Sequence, residues 1–133
     1  MPGDRAIGSF FVHRHTGKIL RVLRAGRLGY QVIIEGLGLL VLPKHALHAS
    51  YTRAAVRLRA GTHYIGERTR IEGALRLTLR SIRHGHELRA ETDDPPRTER
   101  LRFAEAAQAL YWFEKLQTLT DFRALLSVAS FTG

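Results

Sequence analysis

Tyr30-Gln31-Val32-Ile33-Ile34-Glu35-Gly36-Leu37-Gly38-Leu39-Leu40-Val41-Leu42-Pro43 carries the clearest fold signal in this chain of 133 residues. Tyr30 to Ile34 is built from β-branched and aromatic residues around one Gln, the composition of a strand lying on a pleated, half-buried surface. Glu35 to Gly38 follows as a glycine-bearing turn. Leu39 to Leu42 resumes the apolar run, and Pro43 ends it because proline has no N–H to donate to a sheet ladder.

Towards the N-terminus the same grammar repeats. Lys18 to Ala25 holds Ile19, Val22 and Leu23 and is separated from Tyr30 by a turn at Gly26 to Gly29. Ile7 to Arg14, with Phe10, Phe11 and Val12, precedes a break at Thr16-Gly17-Lys18. Short strands joined by tight turns predict a strongly bent antiparallel sheet, and an SH3-like small barrel is its natural closure. Pro43 to His48 is expected as a helical turn or loop over one mouth.

Towards the C-terminus the strands lengthen. Val56 and Leu58 alternate with Arg57 and Arg59. Ile71, Gly73, Leu75, Leu77 and Leu79 share one face of a predicted long strand, and Arg70, Glu72, Arg76, Thr78 and Arg80 share the other. Ile82 has the wrong parity, so a bulge or strand end is expected near Ser81. His84-Gly85-His86 reads as a hairpin turn returning through Glu87 to Glu91, Thr92 to Pro96 as a loop, and Thr98 to Phe103 as a last strand. Linkers are expected at Ala49 to Ala54 and Thr92 to Arg97. Helix formers then run from Ala104 to Leu116, with Ala106, Ala109, Leu110, Phe113 and Leu116 on one stripe. A shorter helix is predicted over Phe122 to Ala129, capped by Thr120 or Asp121, with Leu125 and Leu126 inward.

These elements predict a β-dominated α+β fold. Residues 1–50 form an SH3-like curved sheet or small barrel, and residues 51–133 a second antiparallel sheet closed by one long and one short helix, the whole as one continuous structural unit. The helix that opens at Phe103-Ala104-Glu105-Ala106-Ala107 and runs into Tyr111-Trp112-Phe113 after about seven strands resembles the closing helix of pleckstrin-homology-like barrels. The resemblance covers topology and that one segment, and carries no binding residue across. If Tyr111 or Trp112 faces outward, the patch is a protein interface, most simply a homodimer contact.

Cysteine is absent, which excludes disulfide scaffolds, thiolate zinc sites, iron–sulfur clusters and cysteine nucleophiles, and fits a reducing cytoplasm. Met1-Pro2-Gly3-Asp4-Arg5 has no signal-peptide pattern. The longest apolar run, Leu37 to Pro43, is far short of a membrane span. Charge is the strongest compositional signal: +9 overall, with Arg greatly outnumbering Lys18, Lys44 and Lys115. Residues 1–60 hold ten Lys/Arg against Asp4 and Glu35, a balance of +8; residues 61–133 hold eleven against ten, a balance of +1. A basic half lacking carboxylates predicts a polyanion-facing surface. Its candidate contacts are Arg14, Lys18, Arg21, Arg24, Arg27, Lys44, Arg53, Arg57 and Arg59. Tyr30, Tyr51, Tyr64 and one of Phe10 and Phe11 are candidates for stacking on bases, with core packing the competing role. In the second half Arg76, Arg80, Arg100 and Arg102 are expected to pair across strands with Glu72, Glu87, Glu91 and Glu99.

Histidine offers two His-x-His pairs, His13/His15 and His84/His86, and the pair His45/His48. An extended His-x-His points both rings one way, as metal ligation requires. Both pairs fall at expected turns without a carboxylate cluster, so no metal or cofactor is expected, and the loop histidines serve as added charge at low pH. His45 and His48 with Lys44 are the types a nuclease needs, a minor alternative. No Gly-x-Ser-x-Gly elbow or P-loop is present, and Gly36-Leu37-Gly38 lacks the helix and third glycine of a dinucleotide site. The expected function is therefore non-enzymatic binding of DNA or RNA through the Arg-rich N-terminal β surface. The alternative is an adaptor or inhibitor that engages an acidic protein and dimerises through the aromatic helix.

Overall fold

The computed structural model describes residues 6–58 and 66–130; Arg59 and Tyr64 lie outside the described residues. The fold is α+β and strand-rich, with two antiparallel sheets and three helices. By backbone contacts the chain divides into one unit of residues 1–54 and 124–133 and another of residues 55–123.

The first unit holds β1 (Phe10–His13), β2 (Ile19–Gly26), β3 (Gly29–Ile34), β4 (Gly38–Leu42), α1 (Lys44–Ser50) and β5 (Tyr51–Arg53). Its strands lie in the order β4-β3-β2-β1-β5. Alternation sends Phe11, Leu20, Val22, Tyr30, Val32 and Ile34 to one face, where they bury Leu47 of α1, with Leu42 and Tyr51 at the margin. Burying Leu47 completely contributes about 1.5–3 kcal/mol towards holding the short helix on the sheet. On the other face Arg21 stands opposite Phe10 and Ile33, and its guanidinium donates to the Ala129 carbonyl at 2.9 Å. That bond ties the C-terminal segment to the sheet. A bulge between Val22 and Arg24 shifts the register, so Arg24 pairs with Gln31. Among the described residues β4 and β5 remain separate edges, so the sheet is open rather than a closed barrel.

Two expectations change here. The predicted linker at Ala49 to Ala54 contains β5, which pairs with β1 through Phe11 opposite Arg53. Val56 and Leu58 form no strand; the Val56 N–H donates instead to the Ala107 carbonyl.

The second unit is a meander of β6 (Glu67–Glu72), β7 (Leu75–Ile82), β8 (Gly85–Asp93) and β9 (Pro96–Phe103). α2 (Ala106–Lys115) packs against β7, β8 and β9. Leu77, Leu79, Leu88, Ala90, Leu101 and Phe103 are buried in the sheet, and Ala109, Leu110, Trp112 and Phe113 on α2. The single long strand predicted through Gly73 is two strands. Gly73 takes φ +57, a left-handed value that lets the chain reverse so that Glu72 faces Leu75. Ile71 consequently pairs with Arg76 on the outer face and is 64% exposed. Arg70 moves to the inner face opposite Leu77, where its Nε donates to the Phe113 carbonyl at 2.9 Å and its terminal nitrogen to the Leu116 carbonyl, closing the C-terminus of α2.

The last helix, α3 (Leu119–Ala129), begins earlier than predicted and is not the shorter of the final pair. Its cap is Thr118: the hydroxyl accepts the Asp121 N–H at 3.0 Å, and the Asp121 carboxylate accepts the Thr118 and Gln117 N–H groups. This reciprocal pattern is a capping box with Asp in the usual Glu place. No helix among the described residues is long and apolar enough to cross a membrane.

Candidate nucleic-acid interface

The described part of the first unit carries seven basic side chains against one carboxylate, Glu35, a balance of +6. Glu35 is engaged in the fold, since its Oε1 accepts the Ile19 N–H at 2.9 Å. Lys18, Arg24, Arg27 and Lys44 are exposed and form no ion pair with any described residue. With so little counter-charge nearby, their field reaches solvent.

Strand direction sorts these cations into two groups. Because neighbours are antiparallel, the β2–β3 hairpin and the Pro43 end of β4 share one end of the sheet, whereas the β1–β2 turn lies at the other. Arg24, Arg27 and Lys44 therefore gather at the hairpin end, and Arg14 and Lys18 at the far end. The eight residues of β2 put roughly 20–25 Å between Arg24 and Lys18 along that strand, whereas Lys44 and Arg14 approach one another on the face that α1 covers: Lys44 Nζ is over the Tyr30 ring, and Arg14 lines a pocket with Tyr30 and His48. The hairpin end also holds a cleft of about 520 Å³ lined by Arg24, Arg27, Leu28, Gln31 and Val41 among others. Two guanidiniums, an amide and an exposed apolar wall offer phosphate contacts beside a surface for a base or apolar group. Lys44 Nζ lies 5.4 Å from the centre of the Tyr30 ring at the same end.

Three predicted contacts are used inside the fold. Arg14 donates from Nη1 to the Ala49 carbonyl (2.9 Å), from Nη2 to the His48 carbonyl (3.1 Å) and from Nε to Thr52 Oγ1 (3.3 Å). It is the C-terminal cap of α1. Arg21 binds the Ala129 carbonyl, and Arg53 donates to Ser9 Oγ at 3.4 Å. Arg57 is exposed but belongs to the second unit, apart from the hairpin group in sequence and unit.

In the second unit carboxylates stand among the arginines. Arg80 meets Glu87 at 3.2 Å, Arg89 meets Glu91 at 2.6 Å, Arg70 meets Glu72 at 3.6 Å and Arg123 meets Glu99 at 3.5 Å. Exposed Arg76 and Arg102 sit opposite Glu91 and Glu87 in the ladders. Of the expected cross-strand partners, only Arg80 and Glu87 form an ion pair among the described residues; Arg100 faces Arg89 in the ladder, and Glu72, Glu91 and Glu99 pair instead with Arg70, Arg89 and Arg123.

The aromatic and histidine candidates go mostly to structure. Phe10, Phe11 and Tyr30 are buried. His13 Nδ1 accepts the N–H groups of His15 and Thr16, both at 3.1 Å, and so shapes the β1–β2 turn. Its ring stands edge-on to Tyr51, whose phenol burial holds above the ordinary tyrosine pKa. His86 is buried in β8, its Nδ1 3.3 Å from Ser81 Oγ, and burial lowers its pKa. His84 lies in the turn, so the two rings of that pair serve different environments. No three His, Asp or Glu side chains converge among the described residues. His45 and His48 are exposed on α1, and the His48 ring is 6.4 Å from that of Tyr30. Trp112 is only 5% exposed and belongs to the packed interior, leaving half-buried Tyr111, edge-on to it, as the accessible member of the predicted interface pair.

Sequence reading missed Leu28, Gln31 and Val41 as neighbours of the cations. Gln31 and Val41 lie in one cross-strand row with Arg24 only because of the bulge after Val22. Comparison with known protein families, characterised proteins and solved structures finds no match to this chain.

Proposed function

We propose that the chain is a non-enzymatic nucleic-acid-binding protein that grips phosphates with the hairpin end of its first sheet. The observation that carries this reading is the exposed group Arg24, Arg27 and Lys44 in a unit whose one described carboxylate is occupied by the Ile19 N–H. Cations of this kind bind a phosphate backbone by releasing its counter-ions, with little sequence preference and strong salt dependence. Lys18 supports contact at the far end of the sheet, reached by a polyanion long enough to cross it.

The competing reading is an interaction module for an acidic protein. It draws on the same cations and is favoured by Leu28 and Val41, 83% and 58% exposed beside them. Binding assays at low salt with a mixed-sequence duplex, a single strand and an acidic polypeptide separate the two. The double change Arg24→Glu and Arg27→Glu is expected to weaken nucleic-acid binding on the order of tenfold or more, with Arg100→Glu and Arg102→Glu mattering less. Failure of the intact chain to bind either nucleic acid at low salt overturns the leading reading.

A further inference from the structure

We propose that two copies of the chain pair through β4, edge to edge and antiparallel, about a two-fold axis at Leu40. β4 is an edge strand of Gly, three Leu and Val whose three central residues are exposed: Leu39 45%, Leu40 42% and Val41 58%. An edge strand leaves alternate N–H and C=O groups unpaired, and folded proteins normally guard it with charge, an internal proline, a bulge or brevity. The opposite edge, β5, is three residues long and holds Arg53. β4 has none of these guards within its span, and no charged residue occurs from Gly36 to Pro43.

The occupant that fits is a second β4. Rotation about Leu40 places Leu40 against itself, Leu39 against Val41 and Gly38 against Leu42. Residues two apart in a strand share both the side-chain face and the direction of the backbone groups. Every one of these pairs joins positions of equal parity, so whichever alternate backbone set points outward meets its own copy, donor to acceptor. Both sheet faces match as well. Leu39 and Val41 lie in rows with Ile33 and Gln31, and Leu40 and Leu42 in rows with Val32 and Tyr30, so each row continues into an apolar partner. An axis between two residues would set outward groups against inward ones and fail. Centring on Leu40 alone uses all five residues of the strand. The pairing edge adjoins the hairpin cleft and shares Val41 with its wall, and its test needs no nucleic acid.

Sedimentation or light scattering over a range of concentrations should show a reversible monomer–dimer equilibrium. Leu40→Lys places two ammonium groups at the axis, and Val41→Lys charges the other face; each should leave monomer throughout, whereas Ile71→Lys on the second sheet should not. Since the chain has no cysteine, single substitutions report the register. Leu40→Cys should oxidise to a covalent dimer, Ile71→Cys should not, and Leu39→Cys should cross-link with Val41→Cys better than with itself. A folded Val41→Lys protein that still dimerises, an intact chain that is monomeric at every concentration, or self-cross-linking strongest at Leu39 would each overturn the proposal. Monomer throughout would leave the edge to a strand from another protein.

Discussion

Changing Arg24 and Arg27 together to Gln provides the most quantitative test of the nucleic-acid reading, because the fold fixes how many cations should count. Arg14, Arg21 and Arg53 hold backbone carbonyls or hydroxyls, leaving Arg24, Arg27 and Lys44 at the hairpin end. Three phosphate contacts on a duplex predict a log–log salt slope of about −2.7, or roughly 40-fold weaker binding between about 50 and 200 mM salt. The double variant keeps one contact of the group, for a slope of about −0.9 and a loss of only ~3.5-fold over the same range. Were all seven described cations of the unit engaged, the slope would approach about −6. Fluorescence anisotropy of a labelled duplex across a salt series measures these slopes directly. An intact-chain slope near −6 would refute the division between structural and exposed arginines. A slope unchanged by the double substitution would remove the hairpin from the interface.

Three further outcomes test the fold beneath that surface. Gly29→Ala should lower stability by about 3 kcal/mol and Tm by about 10 °C, since Gly29 has φ +138 and a Cβ would lie 2.3 Å from the Leu42 carbonyl oxygen; Gly36→Ala, at φ +77 with open space, should cost only about 1 kcal/mol in calorimetry. His86 has its pKa lowered by burial, so the unfolded chain takes up its proton first as pH falls through about 6.5; stability should decline there by at most about 1.4 kcal/mol per pH unit, a component that denaturant titrations should find missing in His86→Gln. Arg14→Lys keeps the charge but loses the fork that spans the Ala49 and His48 carbonyls, so thermal unfolding should come earlier by about 1–3 kcal/mol while the salt slope of binding is unchanged.

The fold was most legible where periodicity and turn residues agreed. Tyr30 to Pro43 announces β3, its turn and β4 almost residue by residue, because an alternating apolar strand and a proline stop are local properties. Gly73 defeated the same logic. A two-residue turn preserves odd–even spacing along the chain while reversing the strand, so Ile71 continues the pattern of Leu75 in sequence and faces the opposite side in space. The bulge after Val22 hid the row that joins Arg24, Gln31 and Val41 for a related reason. One extra residue transfers everything beyond it to the other face, and no glycine marks the place.

Charge posed a deeper difficulty than periodicity. Net charge reports how many cations a chain has, whereas an interface depends on how many have nothing else to hold. Arg14 and Arg70 occupy different units and have different neighbours, yet each spreads its guanidinium over two carbonyls at the end of a helix. A planar fork can do this, and an ammonium on a flexible stem cannot match it, so part of the preference for Arg over Lys has a structural origin in helix termination. In sequence these residues look like Arg24 and Arg27; only the long-range approach of a helix C-terminus separates them, 34 residues away for Arg14 and His48 and 43 for Arg70 and Phe113. The cations left at the β2–β3 hairpin are those that no helix end reaches, and on that distinction the proposed interface is built.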